Sequence, residues 1–172
     1  MTQLAVTVIG HDRPGIIAET TRALAGLGAN LEDSSMTILR GHFAMVLVAS
    51  VDADATAVES ALAGLTDDGT LSVSVRAVPE EDLSTALGSP YLLSVHGADR
   101  PGIVSALTAE VAAVGGNVTD LTTRLTGELY VLLAEVDLPP SVDLAALDHR
   151  LGDVARGLGV QVSLRELDPD VL

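Results

Sequence analysis

The stretch GHDRPGI at Gly10–Ile16 returns eighty-seven residues later as GADRPGI at Gly97–Ile103. Sliding Gly10–Asp33 onto Gly97–Asp120 without gaps matches Gly10, Asp12, Arg13, Pro14, Gly15, Ile16, Thr21, Ala25, Gly28, Asn30 and Asp33, 11 of 24 positions. Unrelated segments of ordinary composition would share about 1–3. With a one-residue gap, GHFAMVLVASVD (Gly41–Asp52) then aligns with GELYVLLAEVD (Gly127–Asp137). The chain is one unit written twice, and everything else is read against that repeat.

Working outward from the motif, each copy predicts the same order of elements. A short strand precedes it, with Leu4, Val6 and Val8 alternating in one copy and Tyr91, Leu93 and Val95 in the other. A helix follows, expected to carry Pro14 or Pro101 at its first position. Its apolar stripe is Ile16, Thr20, Leu24, Leu27 in one copy and Ile103, Leu107, Val111, Val114 in the other. Gly28 and Gly115–Gly116 end these helices.

Two strands come next, Asn30–Arg40 and Phe43–Val51, then Val118–Thr126 and Leu129–Asp137 in the second copy. A second helix opens with an expected capping box at Thr56–Glu59; its counterpart follows LPPS and carries Leu144, Leu147, Leu151, Val154 and Leu158. A last strand alternates at Leu71, Val73, Val75 and at Val160, Val162, Leu164. The order βαββαβ, twice, predicts an α+β fold of two ferredoxin-like units, each an antiparallel sheet with both helices on one face. The predicted boundaries are 1–78 for the first unit, 79–90 for a polar, proline-bracketed linker, 91–167 for the second unit and 168–172 for a tail.

Charge narrows the function. Twenty-four acids face nine bases, for a net charge of −15, and all nine bases are arginine. Without lysine there is no Schiff-base chemistry and no P-loop. Without cysteine there is no disulfide or thiolate nucleophile. The acidity, the scattered arginines and the three aromatics (Phe43, Tyr91, Tyr130) argue against a nucleic-acid surface, although RNA-recognition motifs share the element order. No apolar run is long enough to span a bilayer, and no signal-peptide pattern opens the chain, so a cytoplasmic protein is expected.

Asp52-Xaa-Asp54 after an apolar strand superficially matches a phosphatase nucleophile motif, but a strand end followed by a helix cap explains it. His11, His42, His96 and His149 show no pair at metal-ligand spacing. Neither catalysis, metal nor cofactor is expected.

The motif itself sits where a strand hands over to a helix. Gly10 permits a close backbone approach, Asp12 is placed to cap the helix, and Gly15 leaves backbone N–H groups bare. Such a helix start suits a carboxylate. Asn30 and Asp33, expected nearby, would take an ammonium group, so the combination fits a zwitterion. The candidate ligand-binding residues are His11, Asp12, Arg13, Pro14, Gly15, Ile16, Asn30 and Asp33. In the second copy they are Asp99, Arg100, Pro101, Gly102, Ile103, Asn117 and Asp120. His11 becomes Ala98, Ile9 becomes His96 and Ser34 becomes Leu121, so the two sites are not expected to be equal.

The DRPGI loop after a first strand, GAN or GGN after the helix, and the βαββαβ order resemble the ACT domain, a small-molecule-sensing regulatory module. The resemblance covers both halves. The free-standing tandem is similar to the glycine cleavage system transcriptional repressor group. That resemblance implies a non-enzymatic regulator binding a small amino acid, glycine or serine favoured, at interfaces between ACT units of a homodimer. It also implies a protein partner in place of direct contact with DNA. A detached regulatory subunit of an amino-acid-metabolising enzyme and a ligand-free scaffold are the alternatives.

Overall fold

The computed structural model describes residues 1–79 and 88–167, and the chain divides into two compact units, Met1–Asp82 and Leu83–Leu172. Most of the predicted linker and all of the predicted tail lie outside the described residues.

The first unit runs β1 (Thr2–His11), α1 (Ile16–Gly26), β2 (Asn30–Leu39), β3 (His42–Val51), α2 (Ala55–Leu62) with a further 3-10 turn at Ala63–Leu65, and β4 (Leu71–Ala77). The second runs β5 (Ser89–Ala98), α3 (Ile103–Ala113), β6 (Asn117–Thr126), β7 (Leu129–Leu138), α4 (Leu144–Leu158) and β8 (Val160–Glu166). Strand β5 therefore takes in Ser89 and Pro90, which the sequence reading left in the linker. Each sheet is fully antiparallel, ordered β2-β3-β1-β4 and β6-β7-β5-β8. This is the ferredoxin-like βαββαβ unit, twice.

Alternation decides which face of each sheet is dry. Leu4, Val6 and Val8 of β1 and Phe43, Met45, Leu47, Ala49 and Val51 of β3 point one way and are buried. They pack on Ile16 and Leu24 of α1 and on Val58 and Leu62 of α2, forming one closed core. Leu93, Val95, Leu132, Ala134 and Val136 meet Ile103, Leu107, Val111, Leu147 and Leu151 in the other. Thr20, the polar member of the α1 stripe, is buried because its hydroxyl donates to the Ile16 carbonyl at 2.8 Å. The opposite sheet faces carry exposed apolar side chains, among them Ile9 and Val46 in one unit and Leu129 and Leu133 in the other; Leu92 is half-buried. Among the described residues no helix is long and apolar enough to cross a membrane.

Three local expectations need correction. Helix α1 begins at Ile16, not at Pro14, because Gly15 takes the left-handed conformation (φ 96°) and its carbonyl accepts the first helical bond from Glu19 N–H. Gly102 does the same ahead of α3 (φ 93°). Pro14 and Pro101 thus belong to a turn that precedes the helix, too early for Asp12 to cap it, and neither helix start has a side-chain cap. Likewise the capping box at Thr56–Glu59 does not form. Asp54 caps α2 by accepting from Ala57 N–H at 2.8 Å, and the Glu59 carboxylate accepts from Val75 N–H at 3.3 Å.

Candidate functional site

Gly10 shows why the motif opens on glycine. A Cβ there would sit 2.1 Å from the Thr70 carbonyl oxygen, so the residue lets the turn before β4 close onto the end of β1. His11 N–H then donates to that same carbonyl at 3.0 Å, and Asp12 N–H donates to the Gly41 carbonyl in the β2–β3 turn at 3.0 Å. Gly97 repeats the close approach, since a Cβ there would lie 2.9 Å from Val160 Cα. Neither hydrogen bond has a counterpart from Ala98 or Asp99 among the described residues.

The two arginines of the motif are placed differently. Arg13 donates through both terminal nitrogens to the Glu19 carboxylate, at 3.0 and 2.8 Å, and its Nε lies 4.0 Å from Asp68. The hydrogen bonds from Arg13 hold the Glu19 carboxyl below its usual range, outweighing partial desolvation. Asp68 is lowered as well, chiefly because it accepts from the Thr70 hydroxyl and N–H. Sheet register aligns Asp68 with Gly157, and the repeat aligns Glu19 with Ala106, so both carboxylates are missing from the second copy. Among the described residues Arg100 makes no ion pair, and a Cβ at Gly159 would come 3.8 Å from its guanidinium carbon.

The second loop also has a phenol near it. Tyr130 pairs with Gly97 in the sheet, where the first unit has Phe43 opposite Gly10. Partial burial pushes the Tyr130 hydroxyl above its usual pKa; the Thr123 hydroxyl pulls the other way, and the Asp99 charge adds to the rise. The phenol therefore stays protonated at neutral pH and can donate. Sequence reasoning missed Glu19, Asp68 and Tyr130. The unmatched pair Glu19/Ala106 in the repeat was the available signal.

The expectation that Asn30 and Asp33 lie beside the loop is wrong within a unit. Strand β2 runs in the same direction as β1, so Asn30 registers through Ser50 with Gln3, while His11 registers through His42 with Leu39. Eight residues of strand, about 26 Å at 3.3 Å each, separate Asn30 from the His11 level. Asp33, reached past a register shift between Leu31 and Asp33, registers with Ala5, about 20 Å away. Asn117 and Asp120 stand the same way to Ala98, with the equivalent shift between Val118 and Asp120. Each unit therefore brings the loop residues together at one end of its sheet and leaves the asparagine and aspartate at the other.

A shallow groove of about 430 Å3 lies on the flank of α1, lined by Ala18, Thr21, Leu24, Ala25 and Leu31 among others. The same positions of α3, with Asn117, line one of the same volume in the second unit. Beside each groove runs an edge strand, β2 or β6, whose outer edge is unpaired within its unit and which exposes Leu31, Met36 and Ile38 or Leu121 and Leu125.

Comparison with known proteins agrees with this architecture. The ACT domain family matches residues 2–76 and 89–165. The chain is 25% identical to the glycine cleavage system transcriptional repressor of Escherichia coli over 169 residues, covering 94% of this chain and 88% of that protein. A UPF0237 protein of Methanopyrus kandleri is 56% identical over 48 residues, 28% of this chain and 53% of that relative, so the match spans about half its length. The crystal structure of an unknown protein from Galdieria sulphuraria superposes with a TM-score of 0.82 at 30% identity, covering 97% of this chain and 99% of that one. With the family matched across both repeats and the βαββαβ unit present in each, this chain belongs to the ACT domain family, as two units in tandem.

Proposed function

We propose that the protein is a non-enzymatic regulator that binds a small amino acid and passes the bound state to a protein partner. Glycine or serine is favoured by the similarity to the glycine cleavage system transcriptional repressor. The same similarity supports a role in the transcriptional control of amino-acid metabolism, with a detached regulatory subunit of an amino-acid-metabolising enzyme as the alternative.

The observation that carries this reading is the separation of the two half-sites. A carboxylate-binding loop at one end of the sheet and an asparagine–aspartate pair about 20–26 Å away do not hold one small zwitterion within one unit. They would meet if ACT units of two copies associated edge to edge with their edge strands antiparallel, because the start of one strand then lies beside the loop end of the other. The unpaired edges of β2 and β6, their exposed apolar side chains and the grooves beside them support such a contact. A ligand bridging that seam would favour the associated state, which is the physical basis of a signal.

The second repeat is the better candidate for the site. Arg100 has no carboxylate partner among the described residues, and it stands with Asp99, Pro101, Gly102 and Ile103 at an uncapped helix start. In the first repeat Glu19 and Asp68 already occupy Arg13, and His11, Asp12, Pro14, Gly15 and Ile16 form a tethered turn.

Thermal unfolding against a panel of the twenty amino acids, with light scattering on the same samples, tests this. One or two amino acids should raise the midpoint in proportion to the logarithm of concentration once saturating. Arg100→Ala should remove the rise, and Arg13→Ala should lower the starting midpoint while keeping it. No rise for any amino acid at millimolar concentration would leave the ligand-free scaffold as the reading.

A further inference from the structure

In sequence the four histidines form no close pair, yet the sheet places His11 directly opposite His42. The pairing is of the close kind. His11 N–H donates sideways to Thr70 of the turn before β4, and the next pair along, Asp12 and Gly41, makes the β1–β3-side hydrogen bond. His11 and His42 are therefore a non-hydrogen-bonded antiparallel pair, the class in which facing side chains approach most closely. Their neighbours Gly10 and Phe43 occupy the helix-facing side, where Phe43 is buried, so both imidazoles leave the opposite, solvent-facing side, and both residues are exposed.

We propose that His11 and His42 form a binding site for a divalent transition cation with affinity for imidazole. Facing Cβ atoms of such a pair are about 4.5–5.5 Å apart. A cation about 2.0–2.1 Å from each of two ring nitrogens spans that gap without moving the backbone. Imidazole selects nickel, copper and zinc over the hard cations magnesium and calcium. The net charge of the whole chain, −15, favours cations over anions in the solution around the protein. No third histidine, cysteine or acidic side chain completes a cluster among the described residues. The chain thus supplies two ligands and leaves the remaining positions to water. The second repeat has Ala98 opposite Leu129 at the same level, so the site belongs to the first repeat alone. It is independent of the amino-acid reading, since it uses the sheet face and needs no second unit.

The test is calorimetric titration of the untagged, full-length chain with nickel chloride in a non-chelating buffer. One ion per chain should bind, with affinity falling at least tenfold in both His11→Asn and His42→Asn and unchanged in His96→Asn. Both substituted positions are exposed, and equal unfolding midpoints in the absence of metal would confirm that the variants fold. Binding that survives either substitution overturns the proposal, as does no binding by the wild-type chain. So does binding that is lost with His149→Asn, because His149 and Asp153 lie 3.3 Å apart on one turn of α4 and are the competing pair.

Discussion

Arg13 and Arg100 occupy the same place in two copies of one motif, and their neighbours give them different work. Arg13 is a strut: a two-pronged bond to Glu19 and the nearby Asp68 fasten the loop to α1 and to the turn before β4. The pH dependence follows from the direction of the shift. Glu19 has a lowered carboxyl pKa in the folded protein, so its contribution to stability is present above the ordinary glutamate value, about 4.3. It is lost as pH falls from there through the lowered value, because the unfolded chain then binds the proton first. Urea unfolding from pH 7 down to pH 3 should therefore show a smaller stability difference between wild type and Glu19→Gln at the acid end. A difference that stays constant with pH would mean the ion pair contributes nothing. The arginines were legible in the repeat, but their unequal partners were not, since Asp68 lies fifty-five residues along the chain from Arg13.

At the scale of elements, the edge strands β2 and β6 carry the consequences. Each is ten residues long with one edge unpaired in its unit, and helix cover leaves the later half of the inward face of β2 exposed. Met36 and Ile38 are on the helix-facing side by register with Met45 and Phe43, yet they remain 41% and 47% exposed. A long edge whose later half, from Ser34 to Leu39 in β2, carries apolar side chains and no charge invites pairing with another strand. Ile38→Lys should accordingly shift the mass measured by light scattering toward the single chain while changing the unfolding free energy by no more than about 0.5 kcal/mol. An unchanged mass would remove β2 from the association surface. The sequence marked these segments as strands, and the structure gave their place in the sheet. Asn30–Leu39, with Glu32 and Asp33, is an edge, while His42–Val51, with the apolar run Phe43–Ala49, is central.

On the scale of the whole molecule, each unit has its own core, and among the described residues neither core draws on residues of the other. About eighty residues with a closed sheet-and-helix core is enough to fold alone, though with modest stability. Residues 1–79 and residues 88–172, expressed separately, should each unfold cooperatively in urea. A fragment with no folding transition at neutral pH would show that its core depends on the other half.

What the sequence by itself determined is local or repetitive. The duplication, the element order, the buried faces and the glycines that admit close backbone contact all follow from spacing along the chain, because alternation and helical stripes are properties of neighbours. The helix starts were misread by two residues where a left-handed glycine, invisible as such in a string of letters, displaced the cap. What only the tertiary structure decided is which distant residues share a place. Strand direction put Asn30 and Asp33 at the far end of the sheet from the loop that the sequence had set beside them. Register brought His11 to His42, and the turn before β4 brought Asp68 to Arg13. These placements depend on how strands are ordered and aligned, and the energy that fixes the register comes from the whole buried face.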